Sequence, residues 1–171
     1  IAKRSSNRIN EIVTDLLNSS RKIDLQFESL DLKDVLLEVI QIAKDSSDLN
    51  KVEIKVNVCE NEINKPIDRD KLKIAFLNLI FNAIEANDKE KGLIQVTLNA
   101  KQNGAELIIQ DFGSGIKEED LNKLFEPYFT TKEKGMGLGL ASTLNIIKAH
   151  QAKIEVKSKV GKGTTFKINF D

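Results

Sequence analysis

The stretch Phe125-Glu-Pro-Tyr-Phe129-Thr-Thr-Lys132-Glu-Lys-Gly135-Met-Gly137-Leu-Gly139-Leu140 holds one proline, two adjacent threonines and three alternating glycines. It has no sustained apolar period, so it reads as a long mobile loop of a length that is uncommon unless functional. An apolar helical pattern begins at its end, over 138–149. Backbone N–H groups at Gly137 and Gly139, with the start of that helix, are suited to holding phosphates. The glycine spacing fits neither the Rossmann fingerprint nor a Walker A loop, and both readings fall away.

Outward from this loop, three further motifs occur in fixed order. Upstream lie Asn78-Leu-Ile-Phe-Asn82-Ala83 and Asp111-Phe-Gly113-Ser-Gly115; downstream lies Gly161-Lys-Gly163-Thr164-Thr165-Phe166. Asn78, Asn82 and Glu85 are spaced by four and three, which places them on one face of a helix predicted over 70–86. Two asparagines one turn apart inside an apolar helix run against helix propensity and call for a reason. An amide oxygen is a hard neutral ligand suited to Mg²⁺. Asp111 follows the apolar Leu107-Ile-Ile109 and precedes two glycines. In isolation Asp-x-Gly is an ordinary turn. Within this series the carboxylate can accept from the exocyclic amine of adenine, and Gly113 and Gly115 let the backbone pass beneath the base.

The order of these motifs resembles the catalytic, ATP-binding domain of bacterial sensor histidine kinases, in the ATPase superfamily shared with gyrase, Hsp90 and MutL. The resemblance covers roughly residues 30 to 171, and the run from Phe125 to Leu140 is most similar to kinases of the nitrogen-regulation sensor type. It implies that Asn82 is the Mg²⁺ ligand, supported by Asn78, and that Lys132 stabilises the γ-phosphate as a point charge. Gly135, Gly137, Gly139 and Leu140 would line the phosphate side, with Phe125 and Phe129 anchoring the lid. Asp111, Gly113, Gly115 and Thr164 would form the adenine side, Thr164 through its hydroxyl or a bridging water.

Hydrolysing relatives such as gyrase carry a glutamate one turn before the metal-binding asparagine. Asn78 cannot act as a base, so the phosphoryl group is expected to go to a side chain rather than to water. Family members often place a basic residue at position 85 and an asparagine at 112; Glu85 and Phe112 depart from that pattern. The implied activity is transfer from ATP to a histidine on a dimerisation hairpin of the same protein, and from there to the receiver domain of a response regulator. The full protein would be a homodimer. The chain holds no acceptor motif, so it is expected to bind ATP without phosphorylating itself. Two other readings stay open: a nucleotide-gated binding module without kinase activity, and an anti-sigma-type serine kinase.

Lysine plus arginine and aspartate plus glutamate balance at 26 each among 171 residues. No basic field is present to draw in nucleic acid or an anionic membrane. One cysteine, Cys59, excludes an internal disulfide and fits a structural thiol. No apolar run approaches bilayer length, so a cytoplasmic domain is expected, with membrane association of the full-length protein left open. The sole histidine, His150, closes the helix over 138–149, where it can interact with the C-terminal carbonyls; the resemblance implies that it is not the phosphoacceptor.

The expected fold is α+β: a two-layer α/β sandwich with a mixed sheet covered by helices, preceded by an N-terminal helix. Strands are expected over 52–58, 93–100, 106–110, 154–157 and 165–169. Asp31 would cap a helix carrying Leu32, Val35, Leu36, Val39 and Ile40. Residues 1–29 carry Ile9, Ile12, Leu16, Ile23 and Phe27 as a one-sided stripe, which is open to docking on its own domain, and whose position resembles that of the second helix of a dimerisation hairpin. With a helical pattern already running at Ile1, the chain is expected to be part of a longer protein that holds the sensor.

Overall fold

The computed structural model describes residues 24–87, 92–132 and 135–171. In chain order these form β1 (Glu28–Asp31), α1 (Leu32–Leu49), β2 (Val52–Val58), β3 (Asn64–Ile67), α2 (Arg69–Glu85), β4 (Gly92–Lys101), β5 (Gly104–Asp111), α3 (Glu118–Leu121), α4 (Gly139–Ala149), β6 (Lys153–Lys159) and β7 (Gly163–Phe170). Five strands make one sheet in the order β2-β4-β5-β7-β6, and β1 pairs with β3 apart from it. Only β2 and β4 run parallel; the other pairings of this sheet are antiparallel. The expected mixed sheet is therefore present.

The period of two in each strand fixes which residues share a face. Val96 stands opposite Ile109, Leu98 opposite Leu107, Ile109 opposite Phe166 and Leu107 opposite Ile168. All six are buried. Val156 and Ile154 continue these rows on β6, and Val56 and Val58 on β2. The helices cover this face. From α2 come Leu72, Phe76, Leu79 and Ile80; from α1, Leu32, Leu36 and Val39; from α4, Ile146 and Ile147, all in one core. Phe76 meets Phe170 edge-on at 6.4 Å, a favoured ring geometry.

Both long N-terminal caps are aspartates. Asp31 Oδ1 accepts from Lys33 N at 3.0 Å and also from Ile63 N at 3.1 Å, tying the start of α1 to the strand pair. Asp68 Oδ1 accepts from Lys71 N at 3.0 Å, so α2 begins a residue earlier than its apolar pattern indicates. Two short strands escaped the sequence reading. β3 contains Pro66, which cannot donate to a ladder and reads as a strand breaker.

Residues 1–23, where most of the N-terminal apolar stripe falls, lie outside the described residues. The far end of that predicted helix is corrected. Residues 24–27 take no regular structure, and Glu28–Asp31 is a strand. Phe27, expected on a helical stripe, instead sets its ring edge-on against His150 at 5.5 Å, and Gln26 N donates to Asp68 Oδ2 at 2.9 Å. Among the described residues no helix is long and apolar enough to cross a membrane.

Candidate nucleotide site

One register position explains the site. Asp111 stands opposite Ile94, on the same face as the apolar rows, and is only 3% exposed. A carboxylate there demands partners. Its Oδ1 accepts from Gly113 N at 2.9 Å and Thr164 N at 3.2 Å. Burial raises the Asp111 carboxyl above the ordinary carboxylate range, and the two backbone N–H groups oppose that rise. With Oδ1 committed to the backbone, Oδ2 is the oxygen left for a ligand.

The loop after Asp111 is pinned to the end of α2. Ser114 N donates to Ala86 O at 2.9 Å, and a Cβ on Gly113 would fall 2.1 Å from that same oxygen. Glycine is required there by close approach. Thr164 enters from β7. Ser158 Oγ donates to Gly163 O at 2.9 Å and lies 2.9 Å from Thr164 Oγ1. The only serine proton is thus used, so Thr164 donates to Ser158 and offers acceptor lone pairs to any ligand.

Between these elements and the loop before α4 lies a cavity of about 540 Å³, within the range of small-molecule sites. Its lining includes Asn78, Asn82, Asp111, Gly115 and Thr164. Lys132, Gly135, Gly137, Gly139 and Leu140 close it from the lid side. Ten of the eleven sequence-predicted site residues therefore meet in one place. Gly113 does not line the wall; it supports the loop from behind.

On the α2 wall, Asn82 Oδ1 accepts from Lys132 Nζ at 2.7 Å, and Glu85 Oε2 lies 2.5 Å from the same ammonium. These are hard oxygens already converging on a cation, a donor set that fits Mg²⁺. Asn78 Nδ2 donates to Gly139 O at 3.3 Å, and Thr143 Oγ1 donates to the same carbonyl at 2.9 Å. Asn78 thus joins the first turn of α4 to α2. In the lid, Tyr128 N donates to Gly137 O at 2.9 Å. Gly137 has φ +69°, and an added Cβ would stand 2.4 Å from Tyr128 C. Phe129 lines the cavity, and Phe125 packs against the core.

A family model described as histidine kinase-, DNA gyrase B- and HSP90-like ATPase matches residues 67–171, more than half of the chain. The chain belongs to this family. Among similar proteins, the sensor histidine kinase ZraS of Escherichia coli (strain K12) is 35% identical over 170 residues, covering 98% of this chain and 36% of ZraS. Sporulation kinase A of Bacillus subtilis (strain 168) is 37% identical over 165 residues, covering 96% of the chain and 27% of that kinase. The chain thus spans roughly a third of the length of these two relatives. A nucleotide-free catalytic domain of the histidine kinase ThkA superposes with a TM-score of 0.77 at 28% identity, over 85% of this chain and 95% of that one. ThkA in complex with the response regulator protein TrrA superposes with a TM-score of 0.80 at 25% identity, over 98% of this chain and 48% of ThkA. Both likenesses carry the mixed sheet and its helices into the histidine kinase branch of the family.

Several residues of the site were not singled out in the sequence. Leu124, Ile116 and Met136 supply apolar walls, and Leu124 is buried. Ser158 accepts from Ile116 N at 2.8 Å, so one hydroxyl joins the loop after Asp111 to the last hairpin. Its only sequence signal is a polar residue on the inner face of β6, in register with Thr164. His150 behaves as expected of a structural residue. Nδ1 lies 2.8 Å from Ile146 O, and Nε2 accepts from Asp68 N at 3.0 Å. Burial lowers the His150 pKa, against the raising influence of Ile146 O and Asp68. Neither ring nitrogen is left for phosphate.

Proposed function

We propose that this chain is the ATP-binding catalytic domain of a two-component sensor histidine kinase, working in the cytoplasm. The observation that carries the proposal is the convergence of a buried carboxylate, Asp111, with the Asn82 and Lys132 pair across one cavity. Asp111 Oδ2 accepts from the exocyclic amine of adenine, and Thr164 offers acceptor lone pairs beside it. Backbone N–H groups at Gly137 and Gly139, where α4 starts, face the phosphates. Asn82 would hold Mg²⁺, which would supply charge neutralisation for the phosphates. Lys132 moves to the γ-phosphate and stabilises its charge in the transition state.

Asn78 has no capacity to accept a proton from water and is engaged with Gly139. Transfer to a side chain is therefore favoured over hydrolysis. The acceptor is a histidine of the same protein outside this chain. Its imidazole nitrogen forms the P–N bond as the bond to the β–γ bridging oxygen breaks, and ADP departs. A response regulator receiver domain then takes the phosphoryl group. The complex of ThkA with TrrA supports that partner by analogy.

Calorimetric titration of ATP with Mg²⁺ tests the site, with Asn82→Ala and Asp111→Ala variants alongside. Saturable binding by the unaltered chain and its loss in both variants is expected. Incubation with γ-labelled ATP and a separately supplied dimerisation hairpin then tests the reaction. Acid-labile label on the hairpin supports a histidine kinase, acid-stable label supports a serine kinase, and binding without transfer supports a nucleotide-gated module. Label on the chain alone would overturn the expectation that the acceptor lies elsewhere.

A further inference from the structure

Glu85 sits where a triphosphate would find it repulsive. It lines the nucleotide cavity one turn beyond Asn82 on α2, and a carboxylate beside phosphates is tolerated only with a cation between them. The structure already places a cation there. Lys132 Nζ lies 2.7 Å from Asn82 Oδ1 and 2.5 Å from Glu85 Oε2, so the two oxygens converge on one point. Side chains at i and i+3 share a helix face, which is why an amide and a carboxylate can act on the same ion. The Glu85 side chain is 60% exposed and that of Lys132 41%. An ion pair so wet is weak and exchanges readily.

Resting on the function proposed above, we propose that Glu85 is a second protein oxygen for the divalent cation, beside Asn82, and that Lys132 and the metal exchange at this oxygen pair. Without nucleotide, the lid lysine occupies the pair and neutralises Glu85. When the metal enters with nucleotide, its higher charge displaces the ammonium, which is released toward the terminal phosphate. A magnesium ion commonly takes one or two protein oxygens and fills its remaining positions with water and phosphate, and the Asn82 and Glu85 pair meets that need. The exchange couples metal arrival to the movement of Lys132. A basic residue at position 85 would lack this coupling, because it would repel both cations.

Two measurements decide the matter. In the first, Mn²⁺ alone is titrated into the chain, and free Mn²⁺ is followed by electron paramagnetic resonance. Lys132→Met removes the competing ammonium and is expected to tighten Mn²⁺ binding about tenfold. Adding Glu85→Gln to Lys132→Met is expected to abolish that gain. In the second, binding of a non-hydrolysable ATP analogue is measured across a Mg²⁺ series. Glu85→Gln is expected to raise the Mg²⁺ concentration at half-saturation about fivefold to tenfold, while melting as the unaltered chain does. The proposal is overturned if Lys132→Met binds Mn²⁺ no more tightly than the unaltered chain. It is equally overturned if Glu85→Gln leaves the Mg²⁺ midpoint within about twofold. Absence of nucleotide binding at every Mg²⁺ concentration would instead overturn the kinase reading, and the Mn²⁺ titration would still decide the oxygen pair.

Discussion

Replacing Asp111 by asparagine separates its two duties. The carboxylate is 3% exposed, and Oδ1 holds Gly113 N and Thr164 N at 2.9 and 3.2 Å. An asparagine carbonyl can keep both of these bonds. Its NH₂ then stands where Oδ2 stood, and a donor faces the donor amine of adenine. Loss of a hydrogen bond to a charged group costs about 1.5–3 kcal/mol, so ATP affinity should fall roughly tenfold to 150-fold. Stability should hardly change, because the neutral amide also escapes the burial penalty that raises the Asp111 pKa. Inosine triphosphate carries an oxygen in place of that amine, and an NH₂ at this position can donate to it. The ATP-to-ITP preference should therefore narrow or invert in Asp111→Asn. Asp111→Ala behaves differently. It leaves two buried N–H groups unpaired at about 1–3 kcal/mol each, and the fold should weaken together with binding. Calorimetric affinities for both nucleotides, with thermal melts of the empty protein, check each part. An ATP affinity within about twofold of the unaltered chain, or an unchanged ATP-to-ITP ratio, would refute adenine recognition by Asp111.

Other consequences can be measured in the same way. Gly137→Ala would force a side chain into a backbone at φ +69°, against Tyr128 C at 2.4 Å and Phe129 O at 2.6 Å. Calorimetry should show at least about tenfold weaker nucleotide binding with a nearly unchanged melt of the empty protein, because the strain is confined to the lid. Glu106 lies between Lys101 and Lys167 on the outer face of the sheet, where hydrogen bonds from Lys101 and then Lys167 lower its pKa from the ordinary 4.5 to about 2. Its stabilising contribution is present above pH 4.5 and is lost as pH falls toward 2. Solvent screening limits the effect to about 1 kcal/mol, and denaturant midpoints of Glu106→Gln should show a shallower acid dependence over that window. Burial lowers the His150 pKa from 6.5, so its contribution is present above pH 6.5 and is lost as pH falls through the lowered value. Protonation of Nε2 would leave Asp68 N facing a donor, a loss of about 1 kcal/mol or roughly 2–4 °C in thermal midpoint, absent in His150→Gln.

The elements most legible in the sequence are those whose period is local. Alternation marked β2, β4 and β7, the apolar run Leu107-Ile-Ile109 marked β5, and the Asp31 cap marked α1 to the residue. β1 and β3 were hidden because each has four residues and one contains Pro66; their pairing is a long-range choice that no window of sequence displays. The end of the N-terminal stripe was misplaced for a related reason. Phe27 continues an apolar spacing, yet its partner is His150, more than a hundred residues away, and tertiary contact overrode local period.

The site was legible for the opposite reason, since its residues break the patterns around them. Asn78 and Asn82 interrupt an apolar helix, and Asp111 ends an apolar strand on its core-facing side. Each break is a polar group held on the covered face, where only partners can satisfy it. What the pattern could not supply was the pairing. That Lys132 reaches Asn82 and Glu85 together, or that Ser158 joins Thr164 to Ile116, depends on strand register and on the lid's path back to α2. A polar residue breaking a core-facing row therefore locates a site in sequence. Its chemistry follows only once the fold shows which other broken row it faces, and here the carboxylate of β5 and the amide of α2 line one cavity.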